Sequence, residues 1–579
     1  MARKIKKKKK KKPPQQAPQR PANIAGVAQA IALQQKGHLA AAEAAYQAIL
    51  QREPNNAAAN HFLGILKQGQ GEHQTALSLV VKSIQLSPNN AVFYCNYANL
   101  LQAAQRFDEA ASHYQRAIKL APDKPQTHYM LGNTFKALEQ TDKALKAYRQ
   151  ALALEPQHLE ALCNMGTIYK DRDQLTDALS AYDKGLAINP AHTALLSNIS
   201  LVYLAQNDAP RALISCQKAR TIDPTSATVT FNLGLILRDL VRIDEAIACY
   251  KQAIRIRPDY IDAHGGLSSA LFIKGNLEAG WREYEWGLGK KDYRPSSRHP
   301  YPLWEGESLA DKTLLVCAEQ GIGDEVMFAS CLPDLLAQGP KKVVVECDVR
   351  LQAVLRRSFS KISVIPRNSN TTHTAEKPAQ AIDCQIAIGS LPKFYRPNLK
   401  AFPQQRGYLL PEPALLAKWQ QRYAKLGRGL KIGISWRGGV DKLAKTTRSV
   451  ALTQWLPLFQ AKAHFVNLQY GDCHEDIAAL GEKAVIHDWE DADPLKDVDD
   501  FIAQIAALDL VISIDNSTVH FAGAVGTSTW ALLPFASSWR WFGEEVNSPW
   551  YPSLRLFRQQ QRGDWSQVLK DIGTALANY

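Results

Sequence analysis

The stretch Pro122–Pro156, "PDKPQTHYMLGNTFKALEQTDKALKAYRQALALEP", decides the architecture of the first half of the chain. Its bounding prolines belong to a series at positions 54, 88, 122, 156, 190, 224 and 258, each 34 residues from the next. Ten residues after each proline stands a small residue: Gly64, Ala98, Gly132, Gly166, Ser200, Gly234 and Ser268. Twelve further on come Ala76, Ala110, Ala144, Ala178, Ala212, Ala246 and finally Gly280. Tyr114, Tyr148, Tyr182, Tyr250 and Tyr284 follow four positions later. Small residues let two helices approach closely, the aromatic fills the gap, and proline ends the second helix. One such hairpin cannot bury its apolar face alone, so consecutive units must stack.

This period and these positions resemble the tetratricopeptide repeat. With an early unit at Ala30–Pro54, eight repeats are expected over residues 23–290. Two residues before the small position stand Asn96, Asn164, Asn198 and Asn232, interrupted by Phe62 and Met130. A carboxamide both donates to and accepts from a peptide backbone. The series resembles the asparagine ladder in the repeats of the cytoplasmic O-linked N-acetylglucosamine transferase, which implies an acceptor or peptide groove. The structural alternative is that asparagine merely suits a polar groove.

The formal charge of +14 is largely a property of the tail: Arg3, Lys4 and Lys6–Lys12 supply nine positive charges. Residues 1–22 therefore read as a disordered polybasic tail. Such a tail suits an anionic membrane surface or nucleic acid, or is simply a solvated end. The nine cysteines include no CxxC pair, which argues for reduced thiols rather than zinc or disulfides. With no apolar run of roughly 18 residues and no signal-like stretch, a cytoplasmic protein is expected, or one peripheral to the inner membrane face.

After residue 290 the grammar changes. Residues 291–312 read as a polar connector. Short apolar runs then alternate with amphipathic stretches: "TLLVCAE", "KKVVVECD" and "CQIAIG", then "LKIGISWRGG", "HFVNLQYG", "DLVISID" and "STWALLP". The pattern predicts an α-solenoid followed by two α/β lobes with parallel sheets, at 313–410 and 411–579. Ligands of such sheets bind beyond the C-terminal strand ends.

Three strand ends carry unusual polar residues. "AEQGIGDEVMF" offers Gly321, Gly323 and Asp324 before a helix expected from about Val326. Asp324 can take a proton from an attacking hydroxyl, with Glu319 and Glu325 as rivals and a helix cap as the structural reading. "SWRGGVDKLAKTTRS" places Arg437, Lys445 and Arg448 in a glycine-bearing loop suited to a diphosphate. "VISIDNSTVHFAGAVG" (511–526) ends a strand at Asp515 and opens a helix that Ser517 or Thr518 can cap. Its first-turn amides form an anion site, and His520 can donate to a phosphate oxygen. Glu475 in "LQYGDCHEDI" can accept from ribose hydroxyls. Trp539, Trp541 and Trp550 could stack on a base or sugar, but a buried core is the favoured reading.

The Gly-Asp turn, "YGDCHE", and Asp515 with His520 five residues on resemble the ADP-heptose–lipopolysaccharide heptosyltransferases. The layout resembles bacterial proteins that join tetratricopeptide repeats to such a domain; "WRWFGEEVNSPWYPSLRLFRQQQRGDW" is typical of that group. The resemblance implies a GT-B fold, two Rossmann-like lobes, and no metal. It maps the catalytic base to Asp324 beside Gly323. It maps the donor site to Asp515, Asn516, Ser517, Thr518 and His520, to Lys445 or Arg448, and to Glu475. Ser517 stands where the family often has glycine, and Glu325 where an apolar residue is usual.

The expectation is a metal-independent, inverting glycosyltransferase. It would move a sugar from a nucleotide-diphosphate donor, a co-substrate rather than a cofactor, to a hydroxyl acceptor. That acceptor is a protein or glycan presented by the repeat groove. The alternative is an interaction scaffold with a catalytically degenerate transferase-like domain.

Overall fold

A computed structural model describes residues 24–288, 299–367, 381–438, 447–543 and 545–579. The polybasic tail and Lys445 lie outside the described residues. Among those described, sixteen helices run from Ile24–Gln35 to Leu277–Tyr284 as eight hairpins. The small positions work as the sequence implies. A Cβ on Gly132 would stand 2.5 Å from the Tyr148 ring, one on Gly166 2.2 Å from Tyr182, and one on Gly234 2.6 Å from Tyr250. Each ring occupies the space a side chain would need, and Tyr114, Tyr148, Tyr182 and Tyr250 are fully buried.

Each hairpin turns through a left-handed residue at a fixed register: Gly37, Gly71, Gln105, Glu139, Asp173, Asn207, Val241 and Gly275, all with φ between 59° and 83°. Three members of the asparagine series bond from one repeat to the one before it. The Asn96 amide meets His61 Nε2 at 3.0 Å, and Asn164 donates to Asn133 Oδ1 at 2.9 Å. Asn232, only 5% exposed, donates to Ser197 Oγ at 2.9 Å. Asn232 is thus a buried strut between repeats and not an open groove ligand. Asn96, Asn164 and Asn198 remain half-buried.

The described residues form two compact units, one ending at Leu195 and the other spanning Leu196–Tyr579. The repeats after Leu196 therefore belong with the α/β region, and the compact division does not fall at residue 290. Long-range bonds explain this: Trp281 Nε1 donates to the Arg396 carbonyl at 2.9 Å, and Arg562 pairs with Asp239 at 2.6 Å.

Two all-parallel sheets follow the repeats. The first has β1 (Thr313–Cys317), β2 (Lys342–Cys347), β3 (Ile362–Pro366) and β4 (Cys384–Ala387) in the order β3-β2-β1-β4. The second holds β5 (Leu430–Ser435), β6 (Ala463–Asn467), β7 (Ile486–His487), β8 (Leu510–Ile514), β9 (Thr529–Leu533) and β10 (Leu554–Arg558). Its order, β10-β9-β8-β5-β6-β7, is doubly wound, reversing direction between β5 and β8. Burial on both faces makes these strands near-continuous apolar runs, as in "LVISI". Among the described residues no helix is long and apolar enough to cross a membrane.

Candidate functional site

The reversal point between β5 and β8 is where a doubly wound sheet leaves a crevice. A cavity of about 500 Å³ lies there, lined by Gly321, Gly323 and Asp324 from the end of β1 and by Asp515, Asn516, Ser517 and His520 from the end of β8. Two helices, Ile322–Ala329 and Ser517–Val525, begin at its wall. The positive ends of both dipoles therefore favour an anion between them.

The first helix starts at Ile322, four residues before the expected Val326, with Gly321 as its N-cap. Asp324 is thus inside the first turn and is not the cap. Gln320, at φ 60°, turns the chain into this helix. Its side chain bonds the Tyr284 hydroxyl, and Arg367 holds its carbonyl at 3.0 Å. The last repeat helix thereby braces the loop that carries Asp324. Gly321 faces open space: a Cβ there would meet only Asp324 Oδ2, at 4.0 Å.

The geometry separates the three candidate carboxylates. Glu325 is buried beneath the helix, accepting from the Asp348 amide at 2.8 Å; burial pushes its pKa up to about 7. Glu319 is 1% exposed and packs against Gly389. Only Asp324 of the three lines the cavity, and it is paired with Arg540 (Nε to Oδ1 2.7 Å). Burial opposes the Arg540 charge, but the adjacent carboxylate outweighs it and raises the pKa.

The second helix is capped by Asn516, not by Ser517 or Thr518. Asn516 Oδ1 accepts from the Thr518 amide at 3.0 Å, and its Nδ2 donates to Ser435 Oγ at 2.8 Å. Asn516 therefore ties the ends of β8 and β5 together. Thr518 is fully buried, leaving Ser517 as the hydroxyl of that turn on the cavity wall. Asp515 Oδ1 accepts from Trp541 Nε1 at 2.8 Å, and its other oxygen lies 3.8 Å from Arg448.

His520 lines the cavity as a buried ring, not as an exposed cation. Burial drives its pKa down to about 4, so the ring is neutral at pH 7. Its Nδ1 is 2.9 Å from the Tyr551 hydroxyl. The Tyr408 hydroxyl, nearby in the same buried layer, donates to the Val326 carbonyl at 2.7 Å. A neutral imidazole donates through one ring nitrogen and accepts through the other, so whichever role His520 Nδ1 takes toward Tyr551, Nε2 takes the opposite one. Its Cδ2 edge abuts Gly323, where a Cβ would stand 3.1 Å away.

Two further expectations are corrected. Arg437 turns from the cavity to Asp476 (3.1 Å), a carboxylate that also accepts from Trp436 Nε1 at 3.0 Å. Glu475, one residue earlier, is exposed and lines neither this cavity nor the second one described below; Tyr470 is the residue of that segment on the wall. Sequence reading missed Arg540 and Arg350. Arg540 lies 216 residues from Asp324, so spacing carries no signal; its place between Trp539 and Trp541 in "WRWF" was the one hint. Trp541 and Trp550 are core, whereas Trp539 lies under the Arg540 guanidinium, 5.0 Å from its ring centre. Every arginine of the cavity faces a carboxylate: Arg540 with Asp324, Arg350 with Asp348, Arg448 with Asp515.

A second cavity, of about 830 Å³, is walled by the last repeats, through Phe231, Arg238 and Asp262, and by the Phe535–Gly543 segment. Arg448, Ser538 and Arg540 line both cavities.

Models described as tetratricopeptide repeat match residues 27–91, 89–157, 129–190 and 163–227, and one described as TPR repeat matches 234–275. The helical hairpins are tetratricopeptide repeats. Protein FlbA of Caulobacter vibrioides is 34% identical over 357 residues, covering 59% of this chain and 60% of that protein. The chain thus spans less than two thirds of that relative's length. Solved structures similar to the tetratricopeptide repeats include a repeat protein from Parabacteroides merdae (19% identity, TM-score 0.36, covering 42% of this chain and 96% of that one). Another is TTC0263 of Thermus thermophilus (24% identity, TM-score 0.28, 31% and 98%). A third, YrrB, is titled a TPR protein with an unusual peptide-binding site (22% identity, TM-score 0.27, 32% and 95%).

Proposed function

We propose that this protein is a glycosyltransferase of GT-B type that moves a sugar from a nucleoside-diphosphate donor to a hydroxyl on a protein presented by its tetratricopeptide repeats. One observation carries the reading: helix starts from two separate parallel sheets converge with Asp324, Arg448 and Arg540 on one cavity, which shares its wall with a second cavity bounded by repeats. Opposed dipole ends and forked guanidinium groups suit a diphosphate. The second cavity would hold the acceptor, whose hydroxyl reaches Asp324 past Arg540 and Ser538.

In the reaction Asp324 takes the hydroxyl proton, the acceptor oxygen bonds the anomeric carbon, and the carbon–oxygen bond to the diphosphate breaks. Arg448 and Arg540 and the start of the Ser517 helix take up the charge on the leaving diphosphate. Arg540 must exchange Asp324 for phosphate when donor binds, which frees the base. Attack opposite the leaving group inverts the anomeric centre. His520 Nε2 exchanges a hydrogen bond with a polar group of donor or acceptor.

Thermal unfolding of the full chain with UDP-, GDP- and ADP-sugars tests the reading. A donor at 100 times its Kd adds about 2.7 kcal/mol, and radiolabelled sugar then transfers to protein. No stabilisation by any donor removes the enzyme reading. The compensation of every cavity arginine by a carboxylate favours a second reading, in which the repeats act as a protein-binding scaffold and the α/β region is catalytically silent. Donor binding without transfer of label to any acceptor supports that scaffold.

A further inference from the structure

The end of β1 carries a second cluster, whose members line neither cavity. One ligand atom each from His299, Cys317 and Glu346 lies within 4.8 Å of the others, the one such group among the described residues. His299 and Glu346 are each 5% exposed. His299 Nε2 has no hydrogen-bond partner and stands 3.7 Å from Glu346 Oε1. The sheet builds the arrangement. Val316 pairs with Val345, so the next residues, Cys317 and Glu346, stand side by side on adjacent strands. Gln385 on β4 completes it: its Nε2 donates to the carbonyls of His299 (2.8 Å) and Tyr301 (2.6 Å), which turns its Oε1 toward Cys317 Sγ, 3.5 Å away.

We propose that His299, Cys317 and Glu346, with Gln385 Oε1 as fourth donor, bind a structural zinc ion. A histidine–glutamate ion pair alone would close to hydrogen-bond distance, whereas these two groups stop at 3.7 Å. A tetrahedral ion with bonds near 2.0–2.3 Å holds its ligand atoms roughly 3.4–3.7 Å apart. The His299–Glu346 spacing already has that value. The other separations among His299, Cys317 and Glu346 need a contraction of at most roughly 1 Å, within the reach of side-chain rotation. Mixed nitrogen, sulfur and oxygen donors suit zinc among divalent ions. On binding, the Cys317 thiol loses its proton to solvent; thiolate and carboxylate then neutralise the ion, and affinity rises with pH. The ion would staple the segment after the repeats onto the first sheet, where Gln385 N donates to the Pro302 carbonyl and Trp304 N to the Gln385 carbonyl, both at 2.8 Å.

The test uses the full chain, dialysed against a chelator-buffered zinc solution and analysed by inductively coupled plasma mass spectrometry. One zinc per chain is expected. Cobalt loaded in its place should give a thiolate-to-metal charge-transfer band in the near ultraviolet. Cys317→Ser should abolish the band and His299→Gln should weaken zinc retention. Absence of zinc and of the band in the unsubstituted chain overturns the proposal without depending on whether a variant folds. A band that survives Cys317→Ser overturns it too, because one of the other cysteines would then be the ligand. Both readouts are independent of sugar transfer, so failure here leaves the transferase reading untouched.

Discussion

Glycine serves opposite ends in the repeats and in the cavity. At Gly132, Gly166 and Gly234 the missing side chain is replaced by a tyrosine ring from the same hairpin, at distances no Cβ would tolerate. At Gly321 the missing side chain is replaced by nothing nearer than a carboxylate oxygen at 4.0 Å. A filled gap is architecture; an open one beside a helix start is room for a ligand. Polarity divides the same way. Between the repeats, partly buried polar groups meet as neutral pairs at Tyr148 with Asn133 and at Asn164 with Asn133. The cavity is held by charged pairs such as Asp324 with Arg540.

The largest expected effect falls on the charged side. Asp324→Asn keeps the shape and a hydrogen bond to Arg540 but removes the base. Sugar transfer should fall about 10²–10⁴-fold, with donor-induced stabilisation retained. Unchanged transfer by the variant would take Asp324 out of the chemistry and leave His520 as the group to examine.

Acid should then separate the two units. Burial lowers His61 in the repeats and His520 in the cavity to about 4, from an ordinary value of 6.5. Each contributes stability that is complete above pH 6.5 and is lost as pH falls toward 4, about 3 kcal/mol apiece. Glu325 has the opposite sign. Raised to about 7, it favours the folded state increasingly as pH falls from 7 to 4.5 and offsets His520 within the same unit. In the unit that ends at Leu195, His61 and a lowered His113 meet no raised carboxylate among the described residues. All twelve tryptophans lie at or after Trp281, so their fluorescence reports on the second unit only. Between pH 6.5 and 4.5 the circular-dichroism melt should shift down before the tryptophan melt does. Coincident shifts would contradict the assignment of these buried groups.

A matched pair of substitutions probes the glycines themselves. Gly166→Ala drives a Cβ into Tyr182 and should cost about 1–3 kcal/mol in the helical melt, with donor binding unaffected. Gly321→Ala should change the melt by less than about 0.5 kcal/mol yet reduce stabilisation by donor. Gly321 has φ −95°, which any residue adopts, so backbone strain cannot account for a loss.

How much of this was legible in the sequence follows from the range of the interactions. The hairpins were readable because their determinants, a glycine and a tyrosine sixteen residues on, are local and recur. The strand ends bearing Gly321–Asp324 and Asp515–His520 were readable because a doubly wound sheet places ligands there. What escaped is orientation. Arg437 looked like a phosphate cation, but Asp476 sits closer; Asn516 outcompetes its neighbours for the cap because it also reaches Ser435. His520 reads as a cation beside phosphate, but burial keeps its ring neutral at pH 7 and Tyr551 takes its Nδ1. Arg540 reaches Asp324 only through the fold.

The smallest effect sharpens the meaning of glycine within the repeats. Beside its packing role, glycine has a conformational one at the hairpin turns, where Gly37, Gly71 and Gly275 take the left-handed conformation at no steric cost. Val241 takes the same conformation, at φ 60°, as a β-branched residue that is 44% exposed. Its Cβ crowds the following carbonyl, at a cost of roughly 1–2 kcal/mol, and its exposure means little apolar burial compensates. Val241→Gly relieves that strain but widens the unfolded ensemble, which returns about 0.4–1 kcal/mol. The difference predicts a net gain of a few tenths to about 1 kcal/mol. Since the second unit contains both Val241 and the tryptophans, the gain should appear in the fluorescence melt. Gln105→Gly, the same change at an unbranched residue of the first unit, should gain less and leave that melt unmoved. A loss of stability at Val241 would mean that its side chain supports the wall of the larger cavity, which it lines, and that packing outweighs backbone strain even at a turn.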